Sequence, residues 1–323
     1  MSDNRYQESV VKTKNNYLHI INSMNEKNKQ PLKVIFFKTI ALILLIPVTL
    51  KAQEENEFFS ATYSSVAKSK TENGNKIGLN ILDVSLITPT IKIGKKTQLN
   101  NIISYKSLAY NSESSEVDSP GKLNDIQYAL LIRQNLDERW NLMVVPQLIA
   151  RSNFENKFGS RDFFPALAII AMNKSKNHEG LEWGYGASYS RDFTKNTLTP
   201  LFAIKYSSPK YRIDVMLPIR AQFVMTPSQS WEYGVEASFE TGIYNTGSKN
   251  NIDTQYTRTI NIPVGLTAAA RISGMFWVKA KVGTQFLREY DFLDRSFKIS
   301  PNQENKINAS PYVSVGISLR LKE

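Results

Sequence analysis

In the stretch "SWEYGVEASFE", Trp231, Tyr233, Val235, Ala237 and Phe239 alternate with Glu232, Gly234, Glu236, Ser238 and Glu240. A period of two is the signature of a β-strand with one apolar and one polar face. The closing "YVSVGISLRLK" repeats it, setting Val313, Val315, Ile317, Leu319 and Leu321 against Ser314, Gly316, Ser318, Arg320 and Lys322. Similar dyads run through "DIQYALLIRQ", "WNLMVVPQLIAR", "LEWGYGASYSR", "YRIDVMLPIRAQF", "TINIPVGLTAAARI" and "FWVKAKVGTQF". Segments of about 10 residues suit tilted strands that cross a bilayer.

Two all-β architectures produce this pattern. A soluble sandwich hides its apolar faces, whereas a transmembrane antiparallel up-and-down barrel turns them to lipid and keeps a polar lumen. Here the polar faces carry Gly, Ser and lone charges, aromatics sit at strand ends, and short turns alternate with long polar loops, all of which favour the barrel. Candidate strands are 58–68, 76–93, 97–110, 122–135, 139–152, 163–172, 180–192, 197–207, 210–224, 230–243, 256–272, 275–288 and 308–322. A bacterial single-chain barrel has an even number of strands, and these are thirteen. "FFPALAIIAM", Phe163 to Met172, is continuously apolar rather than alternating, and setting it aside leaves about twelve; fourteen is the alternative. In the twelve-strand topology GKKTQ, NLDER, FTKNT, TPSQ and SGM are periplasmic turns, and SSPK is a short outer loop.

The apolar run within "KVIFFKTIALILLIPVTLKAQ" is too short for a comfortable helical span and is interrupted by Pro47. Lys27, Lys29, Lys33 and Lys38 precede it and Leu50-Lys51-Ala52 follows, so residues 24–52 read as a signal peptide cleaved after Ala52. Residues 1–23 are polar and patternless ahead of Met24, as expected of a mis-assigned upstream start. The barrel then occupies 53–323, in the outer membrane, with outer-membrane lipid and the barrel-insertion machinery as partners.

Removing residues 1–52 takes eight basic and three acidic side chains from totals of 40 and 29, leaving 32 against 26, a net +6. Those Lys and Arg residues are scattered rather than gathered in the stripe of a nucleic-acid binder. The chain has no Cys, which excludes disulfides, thiol catalysis and Cys-based metal sites. Of its two His residues, His19 lies in the leader, and His178 sits in the polar string "NKSKNHEG" with nothing around it to suggest a Ser-His-Asp triad. No catalytic residue, metal site or cofactor is expected. Trp140, Trp231 and Trp277 each open a strand after a periplasmic turn, and Trp183 opens one on the opposite rim, as an interfacial aromatic belt would have them.

The succession "FFPALAII", "LEWGYGASYSRDF", "TLTPLFAIKYSSPKYRIDVMLPIRAQF" and "PYVSVGISLRLKE" resembles an outer-membrane β-barrel domain family of unknown function, frequent in Bacteroidetes-type Gram-negative bacteria. The resemblance spans nearly all of 58–323 and implies the barrel but no activity. One departure is the C-terminus, where the last outward residue is Leu321 rather than the aromatic common in such proteins.

With apolar residues on the lipid side, the alternate positions specify the lumen. Glu232, Glu236, Glu240 and Asp214 then face Arg212, Arg220, Arg271, Lys279 and Lys281. A turn centred on Thr226 sets Arg220 opposite Glu232 and Arg212 opposite Glu240. Gly184, Gly186, Gly234, Gly265, Gly283 and Gly316 remove volume from inward positions. Separated acid and base sectors around water make a narrow diffusion channel for small polar solutes; charges that pair across the lumen make a closed structural or adhesin-like barrel.

Overall fold

The computed structural model describes residues 56–72, 74–113, 119–155, 158–191, 196–247 and 254–321. The leader and the cleavage point at Ala52 lie outside them. The wall begins with β1 (Asn56–Lys70), β2 (Lys76–Ile87), its continuation β3 (Ile91–Ile93) and β4 (Thr97–Ser112). Next come β5 (Lys122–Asn135), β6 (Trp140–Ser152), β7 (Phe163–Lys174), β8 (Leu181–Ser190) and β9 (Thr197–Ser207). A low stretch follows, made by β10 (Tyr211–Leu217), β11 (Arg220–Ser228) and β12 (Trp231–Ser238), and β12 runs on into β13 (Glu240–Asn245). The set is completed by β14 (Tyr256–Ser273), β15 (Phe276–Leu293), β16 (Ile299–Ile307) and β17 (Ser310–Leu321).

Sequential neighbours pair antiparallel around the wall, and β17 returns to β1 with Ile317 facing Ala61. Counting β3 with β2, β13 with β12 and β16 with β17, the barrel has fourteen staves and is closed. Closure pairs the wall's backbone groups between strands, which a structure in hydrocarbon requires. The outward parity carries Tyr63, Leu82, Ile103, Tyr128, Leu148, Ile169, Phe202, Val235, Val282 and Ile317, all exposed. Soluble proteins rarely show such a contiguous apolar surface; on a barrel it is the lipid-facing belt. The molecule is a transmembrane antiparallel barrel.

Fourteen staves, not twelve, follow from two features of the sequence pattern. The stretch set aside, 163–172, is a full stave, β7. Its alternation is lost because both faces are apolar: Leu167 and Ile169 are exposed outward, while Phe164, Ile170 and Met172 are buried inward. The single strand expected over 210–224 is a hairpin, with Met216 paired to Arg220 around the turn. Partners in that hairpin share parity, so the dyad pattern passes through the turn unbroken. The two changes reverse the sides of two connections. The end of β8 and the start of β9 stand at the rim opposite the chain's β1 start, most of FTKNT lying outside the described residues, and SSPK joins the other tight turns at the β1-start rim, the inner rim.

The interior is not uniformly polar. Towards the outer rim, Val66, Ile77, Leu79, Leu108, Tyr110 and Leu123 point inward from β1, β2, β4 and β5 and pack against Tyr244, Tyr290, Phe292, Ile307 and Tyr312. A second cluster joins Ile149 and Phe164 to Ile243, Tyr256 and Leu293. β13 contributes Tyr244 to the first and Ile243 to the second; it stays paired with β14 from Glu240 to Asn245, but its other edge turns away from the wall. Its neighbour β11 starts only at Arg220, which pairs with Ser238, so beyond Phe239 the edge of β13 has no wall partner. That edge reaches β6, six staves away, where Asn245 pairs with Ser152. Ser152 Oγ donates to the Asn245 carbonyl at 2.9 Å, and Asn153 Nδ2 donates to that of Thr246 at 3.2 Å. The chain thus crosses the lumen.

Candidate functional site

Among the described residues, two polar regions inside the barrel hold most of the expected lumen charges. The first lies near the inner rim, where β10, β12, β15, β17 and the start of β1 each turn a charged residue inward. Arg320 Nη1 donates to Glu232 Oε2 at 2.6 Å, and its Nε donates to Glu57 at 3.2 Å. Arg212 Nη2 lies 3.9 Å from Glu232. Lys279 pairs with Glu57 and Lys281 with Glu236. The Arg320 guanidinium rests 4.8 Å from the ring centre of Trp277, which is buried. These side chains enclose a small space of about 60 Å³.

An apolar cluster stands on other strands of the wall, with Ile170, Met172, Leu201 and Ala203 buried among Met143, Ala168 and Met216. Buried carboxylates and guanidinium groups therefore satisfy one another within one sector rather than across an open lumen. This is the arrangement in which loss of one partner leaves an uncompensated charge.

The second region is a cavity of about 390 Å³ between the crossing β13 and the inner face of β2, β4, β5, β6, β8 and β9. Lys106 Nζ on β4 stands 3.3 Å from Asp83 and 3.2 Å from Glu240. Arg151 Nε donates to Asp125 at 2.6 Å, with its guanidinium 6.0 Å from the Tyr244 ring centre. Glu240 comes from the crossing strand, so the Lys106 pair is a tie across the lumen. Among the described residues no three His, Asp or Glu side chains gather into a metal-binding cluster.

The expected lumen residues divide between these settings. Glu232, Glu236, Arg212, Lys279 and Lys281 converge at the inner network, and Glu240 belongs to the cavity. Arg220 pairs with Asp214 at 2.7 Å, apart from both. Arg271 Nε donates to the Gly274 carbonyl at 2.6 Å in the rim turn. The expected facing of Arg220 with Glu232 and Arg212 with Glu240 does not occur. Arg220 opposes Ser238, and Arg212 lies on a separate strand opposite Val224. Arg212 reaches Glu232 diagonally, over β11.

The Trp residues are also rearranged. Trp183 lies on the same rim as Trp140, their rings 5.7 Å apart and edge to face. Trp231 is exposed, whereas Trp277 faces the lumen and is no part of the belt. The parity that points Lys279 and Lys281 inward includes Trp277, so this was legible. Glu57, Asp83 and Lys106 were missed; the last two carry the inward parity of their strands. The glycines do not widen the lumen: a Cβ on Gly234 would sit 2.0 Å from the Phe223 carbonyl oxygen, so its role is close strand approach. His178 is exposed in the turn 175–180.

A family model described as a domain of unknown function, DUF6268, matches residues 49–320. The chain belongs to that family. None of the curated protein sequences matches it. Among solved structures it is similar to the COG4313 outer membrane channel from Pseudomonas putida F1, at 11% identity over 85% of this chain and 99% of that one, with a TM-score of 0.46. The translocator domain of autotransporter NalP from Neisseria meningitidis is 12% identical over 90% of this chain and 98% of that one, with a TM-score of 0.39. The NanC porin is 9% identical over 81% and 100%, with a TM-score of 0.36.

Proposed function

We propose that this DUF6268 protein is an outer-membrane barrel through which small polar solutes diffuse, narrowed by the strand that crosses its lumen. The observation that carries the reading is the cavity of about 390 Å³, polar and charge-lined, inside a wall whose outer face is apolar. The cavity's charged groups are paired, Lys106 with Asp83 and Glu240 and Arg151 with Asp125, and stand among hydroxyl and amide groups that can replace a polar solute's water. A signal peptide ending at Ala52, lipid around the apolar belt and delivery by the barrel-insertion machinery belong to the same reading. So does the absence of catalysis.

A closed envelope scaffold is the second reading, favoured by the apolar cluster around Tyr110 and Tyr290 and by the paired charges of the inner network. Conductance of the purified protein in planar bilayers separates the two. Discrete, small ion-conducting events support the channel; bilayers that stay silent with correctly folded, heat-modifiable protein support the scaffold.

A further inference from the structure

We infer that the 390 Å³ cavity is the selectivity site of the passage and that it takes an uncharged, polyhydroxylated solute of sugar size; this rests on the channel reading and names its substrate class. The argument starts from the charges. All three carboxylates that line the cavity already face a lining cation: Asp83 and Glu240 share Lys106, and Asp125 holds Arg151. The Arg151–Asp125 pair is nearly buried, with side chains 9% and 12% exposed. An anionic solute would meet a lining with three carboxylates against two cations, and a cationic one would have to take Asp83 or Glu240 from Lys106; an uncharged solute does neither.

The rest of the lining is of a different kind. Ser104, Ser188, Ser190, Thr199 and Thr241 line it with hydroxyl groups, each both donor and acceptor, and Gln127, whose Nε2 donates to Gln147 at 2.9 Å, adds an amide. Phe239 and Tyr244 add ring surface on the side of the crossing strand. Donor-acceptor groups around a modest apolar face match a ring or chain of CH–OH units, whose hydroxyls likewise both donate and accept. The volume lies at the small end of the range for ligand sites, about 300–1,000 Å³. Ser188, Ser190 and Thr199 stand on β8 and β9, across from the crossing strand, so a solute held here would bridge the two sides that bound the passage.

The test is uptake of labelled glucose, gluconate and the ammonium form of glucosamine into salt-containing proteoliposomes. The three probes have similar size and differ in charge. Glucose is expected to enter at least about tenfold faster than either charged probe, a barrier difference of about 1.4 kcal/mol or more, and its uptake to saturate. In Ser188→Lys, which adds a cation at the cavity wall, glucose entry should fall and gluconate should gain on glucosamine. Entry of gluconate or glucosamine as fast as glucose overturns the inference while leaving a channel. Entry of no probe above protein-free vesicles removes the channel reading and the inference together. A Ser188→Lys variant that is folded by heat-modifiability yet leaves all three rates unchanged shows that the cavity is not on the path, and also overturns it.

Discussion

Arg320, on the last strand, donates to Glu232, three staves away on β12, at 2.6 Å. The bond is a chord inside the barrel rather than a rung of its wall, and it carries the neighbouring pairs of Glu57, Lys279 and Arg212 with it.

Glu232→Gln should therefore be strongly destabilising. Both side chains of the pair are under one-tenth exposed, and removing one member of a buried pair costs about 3 to 5 kcal/mol because the other charge is left behind. Replacing the pair together, Glu232→Gln with Arg320→Met, should recover part of that loss. Urea unfolding in detergent, followed by Trp fluorescence, measures both. A single variant as stable as the parent would mean that the network is hydrated.

The lipid face gives an independent expectation. Val235→Arg or Ile317→Arg should destabilise by about 2 to 4 kcal/mol near the bilayer midplane. Ser188→Arg, on the polar cavity, should cost less. Unfolding from lipid vesicles reads the difference, and equal losses at the two kinds of position would contradict the inside-out arrangement.

Asp137 supplies a pH dependence in a rim turn. Its Oδ1 accepts from the backbone N–H groups of Trp140 and Arg139, each at 2.7 Å. These bonds, Trp140's first, hold the carboxyl below its ordinary value. A depressed carboxylate stabilises the fold fully above its unfolded pKa, about 3.9, and the contribution fades as pH falls through the folded value. Asp137→Ala should thus be less stable than the parent at neutral pH, with the gap closing in acid. Unfolding midpoints at pH about 7 and about 3 test the sign; a gap that widens in acid would be inconsistent with the turn.

The strand alternation around Trp231–Ser238 and Ser310–Leu321 made the barrel legible, because lipid outside and polar side chains inside impose parity wherever the lumen is polar. Where the lumen is apolar, as along Phe164, Ile170 and Met172, parity vanishes and β7 was lost. The hairpin at Pro218–Ile219 was invisible for the converse reason, since its pairing preserves parity. The departure of β13 from the wall at Phe239 has no local signature at all. It arises from the shortness of β10 and β11, a property of the neighbouring strands, and so the lumen-crossing tie between Glu240 and Lys106 could not be read from either residue's surroundings in sequence.

In the proposed channel β13 is the constriction. Its most direct test is planar-bilayer conductance of the parent protein beside a variant in which residues 241–258 are replaced by a short Gly-Ser turn, with heat-modifiability confirming that both are folded. The channel proposal predicts small conductance in the parent and a several-fold increase in the variant. Unchanged conductance, or silence in both proteins, would contradict the claim.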